Sequence, residues 1–392
     1  MKKRKKYAAV LLLSWALGIC PAQAEEDLEL YARSAVLMDG SSGRILYGKE
    51  EAQPMPMAST TKIMTCILAL EEAGGLEGAA KTVCAASAQA ASQPQVKLGM
   101  QPGETFYLSD LLYSLMLESH NDTAVCIGET LAGSVEGFAE KMNEKAREIG
   151  CEDTYYITPN GLDASDREGI HHTTAEDLAL VMRYCLALSP EAEDFVRVTS
   201  APSYTFTDVQ GSRSFSCSNH NAFLNMMEGA LSGKTGYTAD AGYCYVGALK
   251  RDDTLLIVSL LACGWPGNKG YKWIDTRKLM EYGLEHYRMV NITEGELSLP
   301  DVIVRDGQQE TVKLTAQIPA VRMLMKEGER VQRTLRLKST VKAPLSRGQE
   351  MGQLLYLVEG VPYAGAMVTA DESVGAYDYS FCLERIVEEF CL

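Results

Sequence analysis

In the stretch PMASTTKIMT (residues 56–65) a hydroxyl, Ser59, precedes an ammonium, Lys62, by one helical turn. At that spacing two side chains share a helix face. A serine hydroxyl is a poor nucleophile until a base takes its proton. Lysine can be that base only when neutral, a state that burial and nearby cations favour. If Ser59 opens the helix, the positive end of the helix dipole also helps an anion form on its oxygen. A capping serine beside a solvated lysine would look the same, so S-x-x-K alone decides nothing.

Two further clusters follow. Ser119-His120-Asn121 combines a hydroxyl that can relay a proton with an amide that can bind a peptide carbonyl. Ordinary helix capping by Asn121 or Asp122 is the competing explanation. Lys234-Thr235-Gly236 offers a fixed positive charge, a hydroxyl for a carboxylate, and a glycine that leaves room for substrate backbone beside a strand. Taken alone it is also a strand with a turn glycine.

The surrounding elements must bring these clusters together. AVLMDGSSGRILYGKE (35–50) reads as two strands about a Gly-Ser turn. STTKIMTCILALEEAGG reads as a helix closed by Gly74 and Gly75. A helix over 108–119, with Ser109 as N-cap, meets another starting at once, so Ser119, His120 and Asn121 occupy the corner between them. More helical pattern covers 135–149 and 174–187. GALSGKTGYT, AGYCYVGALK and TLLIVSLLACG are strand-like, and WIDTRKLMEYGLEHY is a closing helix. This order predicts an α/β fold: an antiparallel sheet flanked by helices, with an inserted helical lobe. Short alternating segments after residue 290 predict a small β-rich part. SFCLERIVEEFCL ends the chain as a candidate amphipathic helix, with Phe381, Ile386, Val387 and Phe390 along one side.

Composition narrows the function classes. The chain has 392 residues, enough for two domains, and 46% apolar content is ordinary for a globular protein. A net charge of −15 repels nucleic acid, which excludes it as a partner. The basic head KKRKK, an apolar run too short to span a bilayer, and PAQA before Glu25 predict an export signal over 1–24. The eleven cysteines include no C-x-x-C pair and no zinc-binding spacing. Cys66, Cys126, Cys185, Cys244 and Cys263 sit singly in apolar segments, as buried free thiols would.

The three clusters, in this order and on these elements, resemble the S-x-x-K, S-x-N and K-T-G set of penicillin-binding proteins and serine β-lactamases. The likeness extends further. AVLMDGSSGRILYGKEEAQPMPMASTTKIMT, PNGLDASDREGIHHTTAEDLA, KTGYTADAGYC and VKAPLSRGQEMGQLLYL are similar to exported D-alanyl-D-alanine carboxypeptidases, over about residues 30–375.

The resemblance implies a catalytic domain over 25–289 with a β-lactamase-like fold, a C-terminal β-sandwich over 290–375, and a tail over 376–392. It implies Ser59 as nucleophile on the carbonyl between two terminal D-alanines of a peptidoglycan stem peptide. Lys62 would accept the hydroxyl proton, and Ser119 would pass a proton to the leaving D-alanine. Asn121 and Lys234 would orient substrate, Thr235 would contact its terminal carboxylate beside Gly236, and Ser59 and Tyr237 N–H groups would bind the oxyanion. It also implies acylation by β-lactam antibiotics, no metal and no cofactor.

Three departures stand out. Tyr237 follows K-T-G where some relatives carry histidine. CGWPGNKGYKWID holds Lys269 and Lys272 but no arginine to receive the substrate carboxylate. The tail is short, and Glu384, Glu388 and Glu389 oppose anionic lipid, so contact with a membrane surface stays open. The rival functions are a β-lactamase, which CEDTYYITPNGLD disfavours by lacking the E-x-x-L-N pattern, and an inactive wall-binding scaffold.

Overall fold

Runs such as SAVLMD and TLLIVSLL are apolar at nearly every position, as strands covered on both faces must be. They form the middle of a five-stranded antiparallel sheet. Its order is Ile45–Lys49, Ser34–Asp39, Thr254–Leu261, Gly242–Arg251, Ala230–Thr238. Alternation divides the strands' side chains between two faces. Val36, Met38, Val246, Ala248 and Ile257 join the core of the helical lobe. Leu37 and Leu256 instead face Gly283 of the helix Tyr271–His286, whose missing side chain lets it lie against them. The edge strand Ala230–Thr238 carries Lys234, Thr235 and Gly236 along the border of the lobe.

The computed structural model describes residues 28–390. The expected export signal over 1–24 lies outside the described residues. From Tyr31 onward the chain forms one compact unit. Among the described residues, no helix is long and apolar enough to cross a membrane. Nine described cysteines are free thiols, eight of them buried. Burial pushes the thiols of Cys66 and Cys126 up, which keeps them protonated and unreactive.

After the helix Tyr271–His286 the chain becomes a β-sandwich. One sheet has the order Leu314–Ala316, Val361–Ala370, Glu350–Val358, Val331–Leu337. A second joins Thr311–Val312, Val302–Arg305 and Thr340–Lys342. Their apolar clusters, one around Val304 and Met351 and one around Leu354 and Tyr356, are separate from that of the lobe.

The sandwich is locked to the first hairpin. Arg44 pairs through both terminal nitrogens with Glu329 and donates to the Leu324 carbonyl at 3.1 Å. The Asp39 carboxylate, which shapes the Gly-Ser turn, accepts the Leu324 N–H at 2.9 Å. Arg44→Ala leaves the largely covered Glu329 without its cation. A loss of about 2 kcal/mol in unfolding free energy is expected, read from urea midpoints, with activity of the remaining folded protein unchanged.

Ser109 does not cap its helix. The helix Leu108–Tyr113 has Tyr107 at its cap position, two residues earlier, with no side-chain cap. It loosens into a π-helical turn, Ser114–Glu118, and stops at Ser119.

Candidate active site

The nucleophile candidate sits where a short 3-10 turn, Ala58–Thr61, runs into the helix Lys62–Ala73. Local hydroxyls fix this entry. Thr60 and Thr61 donate to the carbonyls of Met57 and Ala58, at 2.6 and 2.8 Å. His171 braces Thr61 from across the fold: its Nε2 lies 2.9 Å from Thr61 Oγ1, while its Nδ1 accepts the Ile157 N–H at 3.0 Å. Burial, then the charges of His172 and Lys62, lower His171 to about 3, so the ring is neutral and its proton sits on Nε2.

Lys62 is fully buried, and its Nζ has three oxygen neighbours. Ser59 Oγ is at 2.9 Å, Asn121 Oδ1 at 2.9 Å and the Asn160 carbonyl at 2.6 Å. The two amide oxygens can only accept hydrogen bonds. A neutral amine that spends its two N–H groups on them aims its lone pair at the Ser59 hydroxyl. Burial, then the Lys234 charge, hold Lys62 well below the usual lysine range, against the opposing pull of Asp122.

Ser119 closes the π-helical turn with φ of +67°, a left-handed conformation that costs a non-glycine residue about 1 kcal/mol. Ala58, beside Ser59, also has positive φ, +50°. Backbone strain of this kind collects at functional sites. Ser119 Oγ is buried and has no hydrogen-bond partner among the described residues. Asn121, expected at the substrate, is already engaged: its oxygen holds Lys62, and its amide nitrogen donates to the Pro94 carbonyl at 3.3 Å. Asp122 is not a helix cap but holds the 98–100 loop through the N–H groups of Leu98 and Gly99, both at 2.8 Å.

On the edge strand, Lys234 is buried, lowered by that burial to about 7, and donates to the Thr235 carbonyl at 2.9 Å. Gly236 also has a structural reason. A β-carbon there would lie 2.9 Å from Ser59 N and 3.1 Å from the Met57 carbonyl. The space is taken by the turn that carries Ser59, so glycine sets how closely strand and turn approach. Tyr237 is exposed and packs against Tyr243, ring centroids 4.8 Å apart.

Ser59, Ser119, Lys234, Thr235, Gly236 and Tyr237 share the wall of one cavity of about 630 Å³. Lys62 and Asn121 stand behind Ser59. Glu118, the one carboxylate on this wall among the described residues, is tied to the Ser218 N–H and to His220 Nε2, both at 2.7 Å. Sequence reasoning did not single out Asn160 or the bracing role of His171. Both lie in PNGLDASDREGIHHTTAEDLA, and Gly161 (φ +82°) allows this loop to touch the Ala58 carbonyl.

The sequence profile of the D-alanyl-D-alanine carboxypeptidase family matches residues 21–263. The chain belongs to this family. A D-alanyl-D-alanine carboxypeptidase of Bacillus subtilis, DacF, is 28% identical over 97% of this chain and 96% of its own length. The fold is also that of the carboxypeptidase DacD from Francisella tularensis, with a TM-score of 0.68 over 89% of this chain and 94% of that one, at 22% identity. Penicillin-binding protein D2 of Listeria monocytogenes, solved with ampicillin bound, is 28% identical and superposes with a TM-score of 0.53 over 65% of this chain and 98% of its own. As a D-alanyl-D-alanine carboxypeptidase, the chain acts on the cell wall.

Proposed function

We propose that this carboxypeptidase removes the terminal D-alanine of peptidoglycan stem peptides through an acyl-enzyme on Ser59. The observation that carries the reading is the position of Lys62 Nζ, 2.9 Å from Ser59 Oγ, with acceptors on its other sides. Lys62 takes the hydroxyl proton as Ser59 Oγ bonds to the carbonyl carbon. The bond to the leaving nitrogen then breaks; Ser119, whose hydroxyl has no hydrogen-bond partner among the described residues, hands that nitrogen its proton and takes the one held by Lys62, so both groups return to their starting states. Water attacks the ester and restores Ser59.

Asn121 keeps the amine aimed at Ser59. Lys234 supplies positive charge near the developing oxyanion, and Thr235 offers its hydroxyl to the terminal carboxylate. The N–H groups of Ser59 and Tyr237 bind the oxyanion. β-Lactams, which the Listeria relative binds, acylate the same serine. The division into a catalytic domain over 25–289 and a β-domain over 290–375 belongs to this reading, supported by their separate apolar clusters.

Export to the outer side of the cytoplasmic membrane also belongs to the reading, since cell-wall peptides lie there. The helix Tyr379–Phe390, which exposes Leu383, Ile386, Val387 and Phe390, is the candidate for membrane contact.

The test is D-alanine release from a peptide ending in Lys-D-Ala-D-Ala, by the chain from Glu25. Steady turnover supports the reading; none, from folded protein, overturns it. Gly236→Ala should push Ser59 N out of line with the oxyanion. An activity loss on the order of 10²-fold is expected together with a lowered Tm from the overpacked turn, measured by D-alanine release beside a melting curve.

A further inference from the structure

His120 stands between Ser119 and the amide that holds Lys62, yet the acyl-enzyme route gives it no task. It occupies the N-cap position of the helix Asn121–Ala132, where a serine, threonine, aspartate or asparagine would accept an N–H of the first turn. His120 makes no such cap. Its side chain is buried and turned to other partners: Nδ1 lies 2.8 Å from Ser114 Oγ, which in turn lies 3.0 Å from Thr123 Oγ1. Ser114 and Thr123 are fully buried.

These three side chains bridge the corner. Ser114 opens the π-helical turn, His120 follows Ser119, and Thr123 lies in the first turn of the next helix. Between Ser114 and His120 the chain makes both of its irregular steps, the π-helical turn and the left-handed Ser119. Each is unfavourable by itself, so a contact that spans both opposes their relaxation. Ser119 Oγ makes no hydrogen bond among the described residues and cannot hold itself. Glu118, on its other side, is held by Ser218 and His220. Glu118 lines the Ser59 cavity and His120 does not, so His120 acts on substrate only through the residues it holds. Burial lowers its pKa against the pull of Asp122 and Glu118, so the ring is neutral at pH 7 and adds no charge beside Lys62.

We infer that His120 is a positioning residue for protonation of the leaving group: bonded to Ser114, and through it to Thr123, it clamps the π-helical turn and holds the Ser119 hydroxyl where it meets the leaving nitrogen. This rests on the acyl-enzyme reading, in which Ser119 supplies that proton. Without the clamp the turn relaxes and the hydroxyl moves off line, while Ser59 and Lys62, on another helix, keep their places.

The test uses two substrates that differ in the leaving atom. One is a peptide ending in Lys-D-Ala-D-Ala. In the other, D-thiolactate replaces the last residue, so sulfur stands for the nitrogen while methyl and carboxylate are kept. An amide nitrogen needs a proton to leave, whereas a thiolate leaves without one. The measured quantity is the amide-to-thioester ratio of kcat/KM, which cancels the folded fraction and any damage to Ser59 or Lys62. Ser119→Ala should lower the ratio on the order of 10²-fold. His120→Ala should lower it on the order of 10-fold or more, as a displaced proton donor would. His120→Asn, which keeps a polar atom at the place of Nδ1, should recover most of the loss. Ser114→Ala should lower the ratio in the same direction, and as the mildest change it keeps the test open if His120→Ala does not fold. Added to Ser119→Ala, His120→Ala should lower the ratio no further.

A ratio that falls in Ser119→Ala but keeps its wild-type value in His120→Ala and Ser114→Ala overturns the inference and leaves the Ser119 reading standing. So does a His120→Ala effect that persists in full without the Ser119 hydroxyl. A ratio that Ser119→Ala leaves unmoved removes Ser119 as the proton donor, and the inference falls with that reading.

Discussion

Ser59→Ala is expected to lower D-alanine release by at least about 10⁴-fold, the scale on which loss of a serine nucleophile acts in other hydrolases. The side chain makes little structural contribution: among the described residues its hydrogen-bond partners are Lys62 and, at 3.5 Å, the Asn160 carbonyl. The variant should therefore melt within a degree or two of wild type, and Lys62 keeps its two amide acceptors. It should also fail to form any covalent adduct with penicillin. Turnover assayed beside a thermal melt checks both halves. A folded variant that still releases D-alanine at a comparable rate would remove Ser59 from the mechanism.

Lys62→Met should be nearly as damaging, about 10³-fold or more in acylation, because the proton then has no base within reach. The wild-type pH profile carries the same claim. Acylation needs the neutral amine, so its rate should fall as pH drops through the lowered pKa of Lys62 and hold above it. Lys234→Met removes a cation that pushes Lys62 down, so the acid limb of the profile should move to higher pH. That shift is separable from the loss of substrate binding, which lowers the whole curve. Stability has a matching sign. Between its lowered folded pKa and the unfolded value of about 10.4, the unfolded chain binds a proton at Lys62 that the folded chain does not. Stability from this group therefore rises with pH across that window and is flat below it. An acid limb that stays fixed in Lys234→Met would remove the Lys234 charge as a cause and leave burial to hold Lys62 neutral.

Much of this site can be read along the chain because its chemistry is local. Ser59 and Lys62 are one turn apart, Ser119 and Asn121 share one corner, and Lys234 to Tyr237 are consecutive on one strand. The strands around them are also legible, since a sheet covered on both faces leaves continuous apolar runs. What escaped is set by contacts across the fold. The Asn160 carbonyl reaches Lys62 from a loop about a hundred residues away, and a backbone atom leaves no mark in residue identity. His171 looks like a loop residue until its ring is seen beneath Thr61. The approach of Gly236 to the Ser59 turn is hidden too, because that turn is distant in sequence. Ser109 is a cap by residue type alone, whereas its helix has Tyr107 at the cap position, two residues earlier. Lys272 drew notice as a departure, but its burial in an aromatic frame of Tyr243 and Trp273 depends on Tyr243 from another strand.

The central claim is that one serine carries the acyl group. The direct measurement is acid quench during turnover of a Lys-D-Ala-D-Ala peptide, and separately after benzylpenicillin, followed by intact mass and peptide mapping. The account predicts one added acyl or penicilloyl group per chain, on the peptide that contains Ser59, and none in Ser59→Ala. D-alanine release without any adduct, or an adduct mapped to another residue, would contradict it.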